Sequence, residues 1–141
     1  MAQLAPARQT RRSMRRRTSI LALAMTLAAC SSTATVTHVD AQAAEDLIQN
    51  EQGLVVMDIR TPEETAGGTL PNAIEIDFYS PSFRSELEAL DKTVPYLVYC
   101  RSGNRSAEAV SVMADLGFEQ IYELDGGVAS WVQSGLALTS G

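Results

Sequence analysis

The sequence predicts an α/β domain with a mostly parallel central sheet of about five strands, flanked by helices on both faces. Near-continuous apolar runs at 54–59 and 96–99 indicate strands that are buried on both faces, as in parallel sheets covered by helices. Strand-like segments alternate with helix-like segments along the chain. Chemically versatile side chains, Asp58 and Cys100, lie at the ends of these two runs, where such sheets bind their ligands.

The individual elements follow from local patterns. The predicted strands cover 36–39, 54–59, 73–77, 96–99 and 121–124. The predicted helices cover 41–50, a short segment after Thr61, 83–90, 106–116 and 128–134. Asp40 is a good N-cap, Pro62 suits a first helical position and Gly117 suits a helix stop. His38, the single histidine, falls on the first strand, where we expect it to be exposed on a sheet edge rather than catalytic.

The most informative segment is the polar loop Cys100–Arg105 between the strand at 96–99 and the helix at 106–116. Inward N–H groups of such a loop and a helix N-terminus both favour an anion, and therefore a thiolate. A free cysteine is only ~3% thiolate at pH 7, and lowering its pKa by ~2 units ionises most of it. A buried structural cysteine is the alternative, but it has no use for two arginines and a glycine in the next five positions.

The charge distribution predicts a targeting segment. Six of the eleven basic residues lie in the first seventeen positions, and all seventeen acidic residues lie after position 39. The apolar run at 20–29 is too short to span a bilayer, which needs about 20 residues, but suits a secretory signal. We therefore expect residues 1–29 to be a signal peptide.

The end of this run, Leu27-Ala28-Ala29-Cys30, resembles a bacterial lipoprotein signal. The resemblance implies cleavage before Cys30 and lipidation of that cysteine, followed by a tether at 30–37 and a domain at 38–141. It implies an exported protein held by lipid on the periplasmic face of the outer membrane. An ordinary signal peptide with a periplasmic or secreted product and an uncleaved anchor stay open, as do a start at Met14 and twin-arginine export.

Without residues 1–29, five basic residues face seventeen acidic ones, a net charge of −12. Nucleic acid and anionic membrane surfaces are therefore poor partners. Two of the five, Arg101 and Arg105, lie in the Cys100 loop and predict a local positive patch for small anions. The sequence contains no metal-ligand cluster, and we expect no cofactor.

Several motifs in order resemble the rhodanese family in its single-domain form. They are Asp58-Ile59-Arg60, Pro62-Glu63-Glu64, the turn at 68–73, the Cys100 loop, Gly117-Phe118 and Leu124-Asp125-Gly126-Gly127 with Trp131. The resemblance covers about 54–138 and implies a sulfurtransferase that needs no cofactor. Cys100 would take the outer sulfur of a donor such as thiosulfate as a persulfide and pass it to cyanide or a thiol. Thr69 and Asn72 depart from the family's usual histidine and glycine, in a turn away from the cysteine.

Within this frame each site residue has an expected role, with Cys100 as the nucleophile. Arg101 would face the substrate, and Arg105 would hold either the loop or the anion. The remaining substrate-binding candidates are Ser102, Gly103, Asn104 and Ser106. Gly103 would supply a positive φ, and Ser106 would contact the persulfide or only cap the helix. Asp58 and Arg60 would form a pair that braces the site, and we expect a monomer.

Two other functions stay open at this point. One is a carrier or binding module that receives sulfur without turnover. The other is a small phosphatase or arsenate reductase, which the loop length disfavours: Cys100–Arg105 spans six residues, whereas the related phosphatase loops have seven.

Overall fold

A computed structural model describes residues 33–140, whose centre is a five-stranded parallel sheet in the order β1-β5-β4-β2-β3. The strands are β1 Thr35–Val39, β2 Val55–Asp58, β3 Ile74–Glu75, β4 Tyr96–Tyr99 and β5 Gln120–Leu124. All four strand pairings are parallel. The predicted sheet is therefore confirmed, with β4 at its centre and β1 at one edge.

Five helices alternate with the strands. They are α1 Ala41–Asn50, α2 Pro62–Thr65, α3 Phe83–Glu88, α4 Asn104–Asp115 and α5 Gly127–Gln133. The Asp40 side chain accepts a hydrogen bond from the backbone N–H of Ala43 at 2.8 Å and so caps α1. The α2 N-terminus has Pro62 in its first turn and a capping box between Thr61 and Glu64.

Most element ends differ from the prediction by one or two residues, and two differences affect the site or the domain boundary. The helix expected at 106 begins at Asn104, because Gly103, with a φ of 103°, turns the chain directly into it. The tether expected at 30–37 overlaps β1, since Thr35 to Thr37 pair with β5. The signal peptide at 1–29, Cys30 and the start of that tether lie outside the described residues.

The helices cover both faces of the sheet, as predicted. On one face, α3 and α4 pack through Leu87, Val110 and Met113 on β4 residues that include Val98. On the other face, α1 and α5 pack through Ala44, Val128 and Trp131 on Leu97 and Tyr99. Within residues 33–140, no helix is long and apolar enough to cross a membrane.

Candidate active site

Cys100 directly follows the central strand β4, and its side chain lies on the α4 face of the sheet. The residue is only 1% exposed. The backbone N–H of Gly103 points back at the sulfur and donates to Sγ at 3.1 Å. The left-handed φ of Gly103 permits this tight reversal. A loop that begins as a buried strand and ends as a helix thus closes around a single sulfur atom.

The N-terminus of α5 holds the outer side of this loop. The carbonyl oxygens of Cys100 and Arg101 accept hydrogen bonds from the N–H groups of Val128 at 2.9 Å and Ala129 at 3.1 Å. Because these carbonyls are engaged outside, N–H groups of the loop can face the sulfur. Gly127 makes the approach possible, since a Cβ there would lie 2.4 Å from the Cys100 oxygen.

The loop lowers the pKa of the Cys100 thiol. Burial alone raises that pKa, but hydrogen bonds from the backbone N–H groups of Ser106, Ser102 and Gly103, with a smaller one from the Ser106 hydroxyl, lower it by more, so the net pKa is below its ordinary value. Backbone N–H groups therefore outweigh desolvation at this site. The thiolate, which is the form that attacks an electrophile, therefore forms more readily here than in a free cysteine.

Ser106 lies beside the sulfur in the first turn of α4. Its Oγ accepts from the Cys100 thiol at 3.7 Å and donates to the Gly103 carbonyl at 2.9 Å or to the Glu123 Oε1 at 2.7 Å. Glu123 lies on β5 and is 4% exposed. The expectation that Ser106 caps the helix is wrong, because Gly103 is the N-cap of α4 and the Ser106 hydroxyl donates to a carbonyl instead of accepting from a backbone N–H. The hydroxyl does lie next to the reactive atom.

Arg105 holds the loop through an ion pair. Its two terminal nitrogens donate to the two carboxylate oxygens of Glu64, each at 2.8 Å. Hydrogen bonds from Arg105 are the main cause that lowers the pKa of Glu64, to about 2. The guanidinium also lies over the ring of Tyr79, 5.5 Å from its centroid. Of the two roles expected for Arg105, these contacts favour holding the loop.

Arg101 differs from Arg105 in having an exposed side chain. Within residues 33–140, no carboxylate lies within ion-pair distance of it. Ser102 and Asn104 are exposed on the same loop. Arg101 is therefore the loop cation that can meet an incoming anion.

Asp58 and Arg60 form a buried ion pair on the other face of the sheet. The Arg60 Nη2 donates to the Asp58 Oδ2 at 2.7 Å, and the Tyr99 hydroxyl donates to the same oxygen. Asp58 lies opposite Tyr99 in the β2–β4 register, and Tyr99 and Cys100 are neighbours whose side chains alternate in direction. The predicted pair is present, but it supports the site only indirectly. Arg60 also donates to the backbone oxygen of Glu64, at 3.3 Å, and so reaches the α2 turn that holds Arg105.

Comparison with known proteins agrees with this geometry. The rhodanese-like domain family matches residues 40–134. The chain belongs to the rhodanese-like domain family. It is 29% identical over 105 residues to a sulfurtransferase of Allochromatium vinosum, a match that covers 74% of this chain and 96% of that protein.

Two further proteins match about two thirds to three quarters of this rhodanese-like protein. The thiosulfate sulfurtransferase GlpE of Ectopseudomonas mendocina is 34% identical, over 67% of this chain and 83% of that relative. The crystal structure of a rhodanese-related protein from Thermoplasma volcanium has a TM-score of 0.64 at 31% identity, and the match covers 74% of this chain and 99% of that one. These matches support membership of a sulfurtransferase family.

Two functional contacts of this rhodanese-like domain escaped the sequence analysis. Glu123 was predicted only as part of a strand, and Glu64 only as part of the Pro62-Glu63-Glu64 motif. A signal existed for Glu123, since a carboxylate inside the apolar segment Ile121–Leu124 needs a buried partner. No local pattern pairs Glu64 with Arg105, because 41 residues separate them.

The described residues 33–140 contain no group of three or more His, Cys, Asp or Glu side chains arranged for a metal ion. The chemistry that the arrangement supports is nucleophilic attack by a thiolate. An anion approaching Cys100 meets an exposed arginine at the rim and N–H groups at the base.

Proposed function

We propose that this protein is a thiosulfate sulfurtransferase that works through a persulfide on Cys100. The Cys100 thiolate attacks the outer sulfur of thiosulfate, and a new S–S bond forms. The S–S bond of thiosulfate breaks, and its electron pair leaves with sulfite. Cyanide or a thiolate acceptor then attacks the outer sulfur of the persulfide, and the Cys100 thiolate departs with its electron pair.

The observation that carries this proposal is the hydrogen bond from the Gly103 N–H to the Cys100 sulfur, at 3.1 Å, inside a loop whose carbonyls bond outward to α5. The same donors that stabilise a thiolate can stabilise the negative outer sulfur of a persulfide. Their support is fixed before the donor arrives, so little reorganisation accompanies the reaction.

The loop dimensions favour sulfur transfer over phosphate ester hydrolysis. A six-residue loop whose cysteine is 1% exposed offers less room at its base than a seven-residue loop. A sulfane sulfur fits such a base more readily than a phosphate group with four oxygens. The names of the relatives, which include thiosulfate sulfurtransferases, support the same choice.

The experiment is a turnover assay with thiosulfate as donor and cyanide as acceptor, in which thiocyanate is measured. We expect turnover by the native chain and its loss in Cys100→Ser, with Ser111→Ala, a surface change on α4, as the control. Persulfide formation without thiocyanate release would instead identify a carrier. Hydrolysis of a phenyl phosphate without persulfide formation would contradict the proposal.

We further propose that the protein is exported and lipidated on Cys30, from the basic and apolar segments that precede that residue. Expression of the full chain in a Gram-negative host with a radiolabelled fatty acid tests this. Label in the native protein, lost in Cys30→Ser, is the expected result. An unlabelled mature protein cleaved near Ala29 would point to an ordinary signal peptide.

A further inference from the structure

A buried carboxylate lies one hydroxyl group away from the reactive sulfur and has no part in the sulfur-transfer step. Glu123 is 4% exposed and lies opposite Val98 in the β4–β5 register, on the same face of the sheet as Cys100. Its Oε1 is 2.7 Å from the Ser106 Oγ. Burying a carboxylate costs free energy unless it is hydrogen-bonded, so the hydrogen bond from the Ser106 hydroxyl stabilises this oxygen.

The Ser106 hydroxyl has one proton and three potential acceptors. They are the Glu123 Oε1 at 2.7 Å, the Gly103 oxygen at 2.9 Å and the Cys100 Sγ at 3.7 Å. An ionised acceptor forms the stronger hydrogen bond, and the carboxylate is both closer and harder than the sulfur. The proton therefore points mainly toward Glu123 and away from Cys100, and the sulfur depends chiefly on backbone N–H groups.

We infer that Glu123 is a positioning residue that withholds the Ser106 proton from Cys100 and thereby keeps the sulfur thiolate less stabilised and more nucleophilic. The inference rests on the proposed use of Cys100 as the nucleophile. Nucleophilicity of a thiolate increases with its basicity, so a donor removed from the sulfur raises the reactivity of each ionised molecule. Backbone N–H groups stabilise the thiolate, and Glu123 keeps the Ser106 hydroxyl from stabilising it further.

Among residues 33–140, the other titratable side chain that contacts Glu123 lies at the surface. The Nδ1 of His38, on β1, is 3.5 Å from the Glu123 Oε2 and 3.2 Å from the Asp125 Oδ1. The His38 side chain is 60% exposed. Glu123 thus contacts Ser106 on its inner side and, on its outer side, a histidine that also contacts Asp125.

The test measures the rate of iodoacetamide alkylation of Cys100 against pH in the full chain, read from the mass of the Cys100 peptide. The single variants are Glu123→Gln, Glu123→Asp and Ser106→Ala. The double variants combine Glu123→Gln or Glu123→Asp with Ser106→Ala. Glu123→Asp keeps the charge but withdraws the carboxylate from Ser106. No sulfur donor is present, so failure of thiosulfate turnover and failure of this inference are separate results.

We expect Glu123→Gln and Glu123→Asp each to lower the apparent pKa of Cys100 by about one unit, because the freed Ser106 proton then bonds the thiolate. The limiting alkylation rate at high pH should fall about threefold. In the Ser106→Ala background both effects should drop below a third of these values.

Two outcomes would overturn the inference. An equal shift of Cys100 with and without the Ser106 hydroxyl would mean that only the charge of Glu123 acts, through space. An unchanged pH profile in folded Glu123→Gln and Glu123→Asp would mean that Glu123 is purely structural. If one of the two variants fails to fold, the other still decides, since each makes the same prediction for a hydroxyl-mediated effect.

Discussion

The Glu64 carboxylate accepts a hydrogen bond from each terminal nitrogen of Arg105, both at 2.8 Å, and so joins the start of α2 to the first turn of α4. Arg60 donates to the backbone oxygen of the same Glu64. The ion pair therefore connects the cysteine loop to a second loop, which itself is held by the buried Asp58–Arg60 pair. The residues that hold the cysteine loop in position therefore include Glu64 and Arg60, which lie outside that loop.

The first prediction concerns the pH dependence of this support. Because Arg105 lowers the pKa of Glu64 from its ordinary 4.5 to about 2, folding favours the ionised carboxylate. The stabilisation is fully present above the ordinary value and is lost as the pH falls from there toward about 2. Glu64→Gln should lower the free energy of unfolding by about 1 kcal/mol at pH 7, the scale of a partly exposed bidentate pair.

Urea denaturation of both proteins between pH 7 and pH ~3 measures this. The difference between native protein and variant should shrink as the pH falls. Glu63→Gln is the matched control, since the side chain of Glu63, the neighbour of Glu64, is exposed. It should change the free energy of unfolding by no more than about 0.5 kcal/mol. A Glu64→Gln difference that is constant with pH would contradict the ion-pair account.

A second prediction concerns the contact of α5 with the loop. Gly127 has a φ of +59°, and a Cβ there would lie 2.4 Å from the Cys100 oxygen. Gly127→Ala should therefore displace the loop and raise the pKa of Cys100. It should also lower the free energy of unfolding by about 1–3 kcal/mol more than a substitution that introduces backbone strain without a clash. Gly135→Ala, with a φ of +80° and open space around it, isolates the strain. Equal effects of the two substitutions on thermal unfolding and alkylation would show that the clash is unimportant.

The third prediction separates the two loop arginines. Arg101→Gln should raise the KM for thiosulfate about fivefold with kcat nearly unchanged, because an exposed cation attracts the anion without touching the reacting atoms. Arg84→Gln removes another exposed arginine, one that pairs with Glu88 on α3, and should leave KM unchanged. Steady-state kinetics at two ionic strengths measures both. If both substitutions raise KM equally, the effect belongs to net charge and not to the position of Arg101.

The fourth prediction concerns the buried pair on the far face of the sheet. Tyr99→Phe removes a donor to Asp58 and the acceptor for the Leu70 N–H, at a cost of about 1–3 kcal/mol in the free energy of unfolding. Because Tyr99 faces away from Cys100, kcat and the thiol pKa should remain near native values. Tyr79→Phe, at an exposed position, should change stability little. A loss of kcat in folded Tyr99→Phe would place this network in the catalytic machinery.

The parts of the fold that depend on local pattern could be predicted from the sequence. The buried strand β4 and the loop that follows it are contiguous, so Cys100 and its N–H donors come from one segment. The parts that depend on topology could not be predicted. Asp58 lies at the correct edge of the sheet, but its direction follows from its register with Tyr99, which only the paired strands reveal. Glu64 and Glu123 reach the site from other segments, and their roles depend on which strands are neighbours.

The most direct test of the account is the intact mass of the native protein after incubation with thiosulfate and removal of excess donor. We expect one added sulfur, about 32 Da, that is absent in Cys100→Ala and is removed by cyanide. The fixed N–H donors around this sulfur should make the adduct form near neutral pH. An unchanged mass, or an adduct that persists in Cys100→Ala, would contradict a persulfide on Cys100.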